Sequence, residues 1–208
     1  MGAMEPSAPG SMIVIMAMAA GAGHHRAWPS RCVPMIRTLY LAGPDVFRPD
    51  AQQRGAQLKA DCAAFGFDGL FPLDQHVPAT IARPDEQAAW IYRANIGLIE
   101  RADAVLANLD FFRGPEPDSG TCFEVGYAVA KGKPVYGYIP EHGSFAQRIR
   151  LRHPEAIGPD GMLDTRGWCF EEFGLPLNLM LSVPAPLVVG DARTALARLR
   201  HDQAHATG

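Results

Sequence analysis

The chain has 208 residues, 48% of them hydrophobic, and carries a formal net charge of −3. That length fits one compact domain with tails, and the charge, without any basic run, argues against a nucleic acid or an anionic membrane as the main partner. The four cysteines are far apart and form no CxxC or Cys/His cluster, so nothing indicates a metal site or a disulfide framework. We therefore expect a cytoplasmic protein with reduced thiols that binds a small neutral or weakly charged molecule.

Residues 1–34 differ in composition from the rest of the chain. They are rich in Gly, Ala, Ser and Pro, without any sustained periodicity. Their apolar run, residues 12–20, is shorter than the roughly 20 residues that span a bilayer, and it lacks the preceding basic residues of a secretory signal. We predict a disordered or expression-derived extension over residues 1–34, with Met35 as the natural start, and one domain over residues 35–208. A cleaved export signal is the alternative.

From residue 36 onward, short apolar runs alternate with helix-length segments, which is typical of a parallel sheet covered by helices on both faces. Gly66 and Gly132 mark the ends of two predicted helices, and Pro84 opens another. The predicted strands cover residues 38–43, 69–73, 103–110 and 133–139, and the predicted helices cover residues 49–65, 85–101, 121–131 and 191–204. The sequence thus predicts a single α/β domain.

Ligands of open α/β sheets bind outside the carboxyl ends of the strands. Three loops are expected to meet there: residues 42–47, residues 110–121 and the stretch after residue 137. We accordingly assign Gly43, Asp45, Phe47 and Gly120 to substrate binding. Glu124 lies directly behind the second loop and is reachable from the same crevice.

Glu124 is the only acid in the apolar helix sequence CFEVGYAVA. Thr121 and Glu124 match the capping box T-x-x-E, in which the Glu side chain hydrogen-bonds the amide of the cap residue. The alternative is a catalytic carboxylate, because the residues at helical spacing from Glu124 are mostly small and leave room for a ligand. The residues alone leave both interpretations open.

Three motifs, YLAGPDVF, IYRANIGLIERADAVLANLD and FRGPEPDSGTCFEVGYAVAKGKPV, resemble the nucleoside 2-deoxyribosyltransferase family over about residues 36–183. The last is specific: an acid stands six residues before a Glu in the pattern D-x-G-x-x-x-E-x-G-Y-A. The resemblance implies a flavodoxin-like doubly wound sheet, no cofactor and no metal. It also implies nucleosides and nucleobases as partners, and assembly as a homodimer or a larger homo-oligomer.

The resemblance also implies roles for single residues. Glu124 matches the family nucleophile, Tyr40 the tyrosine that orients it, and Asp118 the acid that binds the 5'-hydroxyl of the sugar. Asn178 resembles an asparagine that one subunit contributes to the active site of its neighbour. From the residues alone, Tyr40 is equally a strand core residue, Asp118 a turn or cap residue, and Asn178 a loop residue.

One position departs from the family pattern. Many relatives carry an aspartate that protonates the base eight residues before the acid that opens the third strand, and here that position is Asn95. An amide hydrogen-bonds a base but does not deliver a proton at neutral pH. Either another acid, such as Asp74 or Asp85, performs this step, or solvent assists the departure of the base.

The predicted activity is transfer of 2-deoxyribose between nucleobases, with slow hydrolysis when no acceptor base is present and with purines favoured. Two alternatives stay open: a 2'-deoxynucleoside 5'-monophosphate N-hydrolase and a binding module without turnover. The acid at Asp118 disfavours the hydrolase, although Arg113 would offset its repulsion of a phosphate if its loop folds inward. A dinucleotide-binding enzyme is disfavoured because no G-x-G-x-x-G follows the first strand.

Overall fold

A computed structural model describes residues 35–161 and 163–205 of the protein. Five parallel strands form one sheet in the order β2-β1-β3-β4-β5. The strands are β1 Thr38–Ala42, β2 Asp68–Leu70, β3 Ala104–Asn108, β4 Val135–Ile139 and β5 Leu187–Val189. This is the strand order of flavodoxin-like folds, in which the connections leave in opposite directions on either side of β1 and β3. The predicted fold class is confirmed.

The helices are α1 Ala51–Ala64, α2 Pro84–Arg101, α3 Ser119–Ala130, α4 Phe145–Arg152, α5 Leu179–Ser182 and α6 Ala192–His205. The four predicted helices are confirmed, with ends shifted by one or two residues. The sequence analysis missed α4, α5 and β5. Two of these elements are short. In α4, the arginines of the sequence FAQRIRLR interrupt the apolar residues, so the periodicity of a buried helix face is not evident.

Successive side chains of each strand point to opposite faces of the sheet, so the hydrophobic core consists of two clusters, one on each face. In β1, Tyr40 packs with α2 and α3 on one face, while Leu39 and Leu41 pack with α1 and α6 on the other. In β3, the odd-numbered Val105 joins the cluster of Tyr40. Since side chains alternate across a sheet, this register directs Tyr40 toward α3.

The first turn of α3 corrects the predicted capping box. The helix begins at Ser119, and its cap residue is Asp118, whose Oδ2 accepts hydrogen bonds from the backbone amide of Thr121 at 2.9 Å and from Thr121 Oγ1 at 3.0 Å. Thr121 is therefore not the cap, and Glu124 lies in the second turn. The capping interpretation of Glu124 was wrong because Asp118, three residues before Thr121, is an equally good cap residue.

The predicted extension over residues 1–34 lies outside the described residues. Within residues 35–161 and 163–205, no helix is both long and apolar enough to cross a membrane.

Candidate active site

A cavity of about 610 Å³ opens at the carboxyl ends of β1, β2 and β3. Its walls come from the loop after β1, the start of α1, the loop after β2, the helix α2 and the first turns of α3. A cavity of this size is typical of small-molecule sites. The lining residues are Gly43, Val46, Phe47, Gln52, Pro72, Leu73, Gln75, His76, Val77, Trp90, Ile91, Ala94, Asn95, Asp118, Gly120, Thr121 and Glu124.

Glu124 and Tyr40 form a hydrogen-bonded pair at the wall of this cavity. Tyr40 is fully buried in β1, and its Oη donates to Glu124 Oε1 over 2.5 Å. The two residues are 84 positions apart in the chain and meet because β1 and α3 pack together. Such a short bond to a carboxylate is strong and fixes the orientation of the acceptor. One carboxylate oxygen is thus held by Tyr40 while the side chain faces the cavity.

The surroundings of this pair alter its proton affinity. Burial raises the pKa of Glu124 to about 7; the hydrogen bond from Tyr40 opposes this rise and the nearby charge of Asp118 adds to it. Burial and the adjacent Glu124 also raise the pKa of Tyr40, so the phenol stays protonated and keeps donating. Glu124 is therefore an ionisable, poorly solvated carboxylate with a fixed orientation. A perturbed carboxyl group of this kind in a cavity is a candidate functional group.

Asp118 lines the cavity next to Glu124 and also caps α3. Both of its hydrogen bonds to Thr121 end on Oδ2, which leaves the carboxyl group anchored at the start of the helix. Gly120 lies two residues after Asp118, and a Cβ at this position would lie 3.1 Å from Asp118 Oδ2. A side chain at residue 120 would therefore crowd the carboxylate.

The loop after β1 supplies a second wall. A Cβ at Gly43, whose φ is +155°, would lie only 2.8 Å from the Cβ of Asn108, so the close approach of this loop to β3 requires glycine. Asp45 is buried and is not among the lining residues; its carboxylate accepts from Arg54 at 2.9 Å and from Asn108 at 3.0 Å. Asp45 thus anchors the loop, and Phe47 lines the cavity.

Phe47 also belongs to a stacked group at the rim. Its ring lies 5.4 Å from that of Phe112, with an interplanar angle of 16°. The guanidinium carbon of Arg113 lies 5.1 Å from the Phe47 centroid and 4.5 Å from the Phe112 centroid. Arg113 has a φ of +57°, which is unusual for a residue other than glycine. The loops after β1 and β3 are joined by these contacts.

The wall formed by α2 carries Asn95 together with Trp90, Ile91 and Ala94. The candidate acids Asp74 and Asp85 are not among the lining residues. Asp74 pairs with Lys59 at 2.5 Å, and Asp85 pairs with Arg83 at 2.6 Å.

Four polar or aromatic lining residues were missed by the sequence analysis: Gln52, Gln75, His76 and Trp90. Trp90 carried a usable signal, since it lies one helical turn before Ala94 and next to the stripe that contains Asn95. Gln75 and His76 follow the carboxyl end of β2, where a ligand site is expected.

Asn178 lies outside the cavity of Glu124 in its own chain. It caps α5 through Oδ1, which accepts from the amide of Met180 at 2.9 Å, and its Nδ2 donates to Glu171 at 2.6 Å. It lines a separate cavity of about 500 Å³ together with Glu116 and Trp168. Within residues 35–161 and 163–205, no group of three or more His, Cys, Asp or Glu side chains is placed to hold a metal ion.

The parallel sheet in the order β2-β1-β3-β4-β5, with a ligand-sized cavity at its strand ends, defines a flavodoxin-like α/β protein. The family model of nucleoside 2-deoxyribosyltransferase matches residues 39–180, and the chain belongs to that family.

The chain is also similar to known structures and to a curated sequence. The 2-desoxiribosyltransferase of Leishmania mexicana is 31% identical, with a TM-score of 0.61 over 79% of this chain and 97% of that one. A conserved protein of Enterococcus faecalis V583 shares the fold at 20% identity, with a TM-score of 0.52 over 82% of this chain and 98% of its own. An uncharacterized protein of Schizosaccharomyces pombe is 34% identical over 125 residues, which cover 59% of each chain, so the match spans little more than half of that relative.

Proposed function

We propose that the protein transfers 2-deoxyribose between nucleobases through a covalent glycosyl ester on Glu124. One observation carries this proposal: a Glu124 carboxylate that is fixed by Tyr40, has a pKa raised to about 7 and faces a ligand-sized cavity. Membership of the nucleoside 2-deoxyribosyltransferase family supports the same activity.

In the first half of the reaction, the cavity-facing oxygen of Glu124 attacks the anomeric carbon as the bond to the base breaks. Positive charge develops on the sugar, and a carboxylate on the opposite face stabilises it and then forms the ester, as in retaining glycosidases. Tyr40 donates a hydrogen bond to the other oxygen and so fixes the orientation of the nucleophile. A second base then attacks the ester and restores the original configuration, and water does so slowly when no base is bound.

The walls of the cavity suggest how a nucleoside lies in it. In the proposed complex, Asp118 beside Glu124 accepts a hydrogen bond from the 5'-hydroxyl, and Gly43 and Gly120, which have no side chains, leave room for the sugar. Phe47 and Asn95 then contact the rest of the nucleoside. No cofactor takes part in this scheme, and Phe47 and Trp90 give the cavity aromatic surface suited to a purine.

A second subunit completes the proposed enzyme. Asn178 cannot serve the cavity of its own chain from its position beside Glu171. The short helix α5 that it caps exposes Met180, and Val183 directly after the helix is exposed as well; the two side chains are 72% and 71% accessible. A contiguous exposed apolar patch is typical of a contact surface, and these two side chains would contribute to one. We propose a homodimer or larger homo-oligomer in which α5 packs against a neighbouring subunit.

The nucleophile is tested with a slow 2'-fluoro substrate analogue. Mass spectrometry of the quenched enzyme is expected to show added sugar mass on the peptide that contains Glu124, and Glu124→Ala is expected to lose nearly all transfer from deoxyinosine to adenine. Glu86→Ala is the matched control, because Glu86 is an exposed acid in the first turn of α2 that pairs only loosely with Arg83 at 3.6 Å. A folded Glu124→Ala protein with near-normal turnover would contradict the proposal.

A further inference from the structure

The departing base needs a proton. The residues that the sequence analysis named for this step, Asn95, Asp74 and Asp85, do not supply it. Asn95 faces the cavity but carries an amide, which does not deliver a proton at neutral pH. Asp74 and Asp85 are engaged by Lys59 and Arg83 and do not line the cavity. The proton donor must therefore come from another lining residue or from water.

The described residues that line the cavity include three titratable side chains: Asp118, Glu124 and His76. Asp118 caps α3 and Glu124 is the proposed nucleophile, so both already have another role in the scheme. His76 remains. Histidine is the side chain best suited to exchange a proton near neutral pH, because it changes charge between pH 5 and 8 in most environments.

The order of the strands places His76 at the end of the cavity where the base is expected. Asp118 and Glu124 stand on α3, which follows β3, whereas His76 stands in the loop that follows β2, and β1 lies between these two strands. A sugar held against α3 therefore directs its base toward the loop after β2. Apolar and aromatic side chains line that end, among them Leu73 and Trp90, and they are suited to pack against a base.

The exposure of His76 fits a group that must give up a proton and regain it in each cycle. Its side chain lines the cavity and is also exposed to solvent. The charged pair nearest to it in the chain is Asp74 with Lys59, two residues earlier, which is balanced in charge. Water can thus reprotonate the imidazole at the mouth of the cavity while the base occupies the interior.

We propose that His76 is the general acid of the reaction. This inference rests on the proposed function. As the bond between the anomeric carbon and the base breaks, its electron pair goes to the base, and the His76 imidazolium donates its proton to a ring nitrogen of that base. Glu124 forms the ester bond, and the products are the glycosyl enzyme, the neutral base and neutral His76. In the second half, neutral His76 accepts the proton of the incoming base.

The test compares two substrates that differ in their need for this proton. Deoxyinosine requires protonation of its base, whereas 7-methyl-2'-deoxyguanosine already carries a positive base and leaves without an added proton. General acids contribute about 10²–10⁴-fold. His76→Gln is thus expected to slow base release from deoxyinosine by at least about 100-fold and from 7-methyl-2'-deoxyguanosine by less than about 3-fold, after subtraction of spontaneous release.

His142→Gln is the matched control, since His142 is also exposed but lines a different cavity at the start of α4. It is expected to leave both rates unchanged. Equal slowing of both substrates by His76→Gln would assign His76 to binding or folding and overturn its role as the acid, and so would unchanged rates for both. If the wild-type protein releases base from neither substrate, the proposed function itself fails and the role of His76 falls with it.

Discussion

Replacing Glu124 with glutamine is expected to make the protein more stable at alkaline pH while removing its activity. The structure raises the pKa of this carboxyl from its ordinary value of 4.5 to about 7, chiefly by burial. A raised pKa means that the folded state favours the protonated form. The stabilising contribution of that form is complete below about pH 4.5 and is lost as the pH rises through about 7.

The size of the effect follows from the two pKa values. Each pKa unit corresponds to about 1.36 kcal/mol, so the gap between 4.5 and about 7 amounts to about 3 kcal/mol in total. Part of this loss occurs below pH 5, and Glu124 is only partly shielded from solvent. Between pH 5 and pH 8, the wild-type protein is therefore expected to lose about 2 kcal/mol of unfolding free energy relative to Glu124→Gln.

Urea denaturation of both proteins at pH 5, 6, 7 and 8 measures this difference directly. Thermal unfolding provides a second measurement, in which about 2 kcal/mol corresponds to roughly 4–8 °C for a domain of this size. The control is Glu86→Gln, because the Glu86 side chain is 53% exposed and its removal is expected to change stability by less than about 0.5 kcal/mol at every pH. If the curves of wild type and Glu124→Gln run parallel from pH 5 to pH 8, Glu124 is not a desolvated carboxylate and the reasoning is refuted.

Two further predictions concern the substrate and the assembly. Because Asp118 repels a phosphate, the wild-type protein is expected to prefer deoxyadenosine over its 5'-monophosphate by at least about tenfold in kcat/KM, roughly 1.4 kcal/mol, and Asp118→Ser is expected to narrow or reverse this ratio. A wild-type preference for the monophosphate, with release of free sugar phosphate, would favour the hydrolase instead. For the assembly, mixing inactive Glu124→Ala with inactive Asn178→Ala is expected to restore part of the activity through hybrid sites, as measured by transfer from deoxyinosine to adenine. Full activity of a strictly monomeric species would contradict the shared site.

The fold was largely predictable because its central elements carry strong local signals. Strands β1 and β3 are short apolar runs, and α2 and α6 have apolar residues at helical spacing. The missed helix α4 buries Arg148, whose Nε donates to Glu141 at 2.9 Å and whose Nη1 donates to the carbonyl of Pro176 at 2.9 Å. Arg148 also lies 4.3 Å from the ring of Phe111 and 3.6 Å from Asp110. Such tertiary contacts make the position an interior one, and no local sequence pattern reveals them.

The candidate site also has features that the sequence shows and features that only the tertiary structure shows. Glu124 stands out in the sequence as a lone acid in an apolar helix, but its contact with Tyr40 spans 84 positions and depends on how α3 packs against the sheet. The start of α3 was misplaced because Asp118 and Thr121 are both good cap residues, and the sequence does not decide between them. His76 was missed because a loop side chain has no periodicity, so only the position of its loop beside the cavity reveals it.

Asp118 both caps α3 and lines the cavity, and this double role restricts which substitutions the site can accept. A residue at that position must start α3, which favours the small set of residues that cap helices: aspartate, asparagine, serine, threonine and glycine. Within this set, exchange of aspartate for serine or threonine removes the negative charge beside Glu124 and keeps a side chain that caps the helix. If the proposed function holds, one substitution at the start of α3 would therefore shift the preference between free nucleosides and their phosphates without loss of the helix cap.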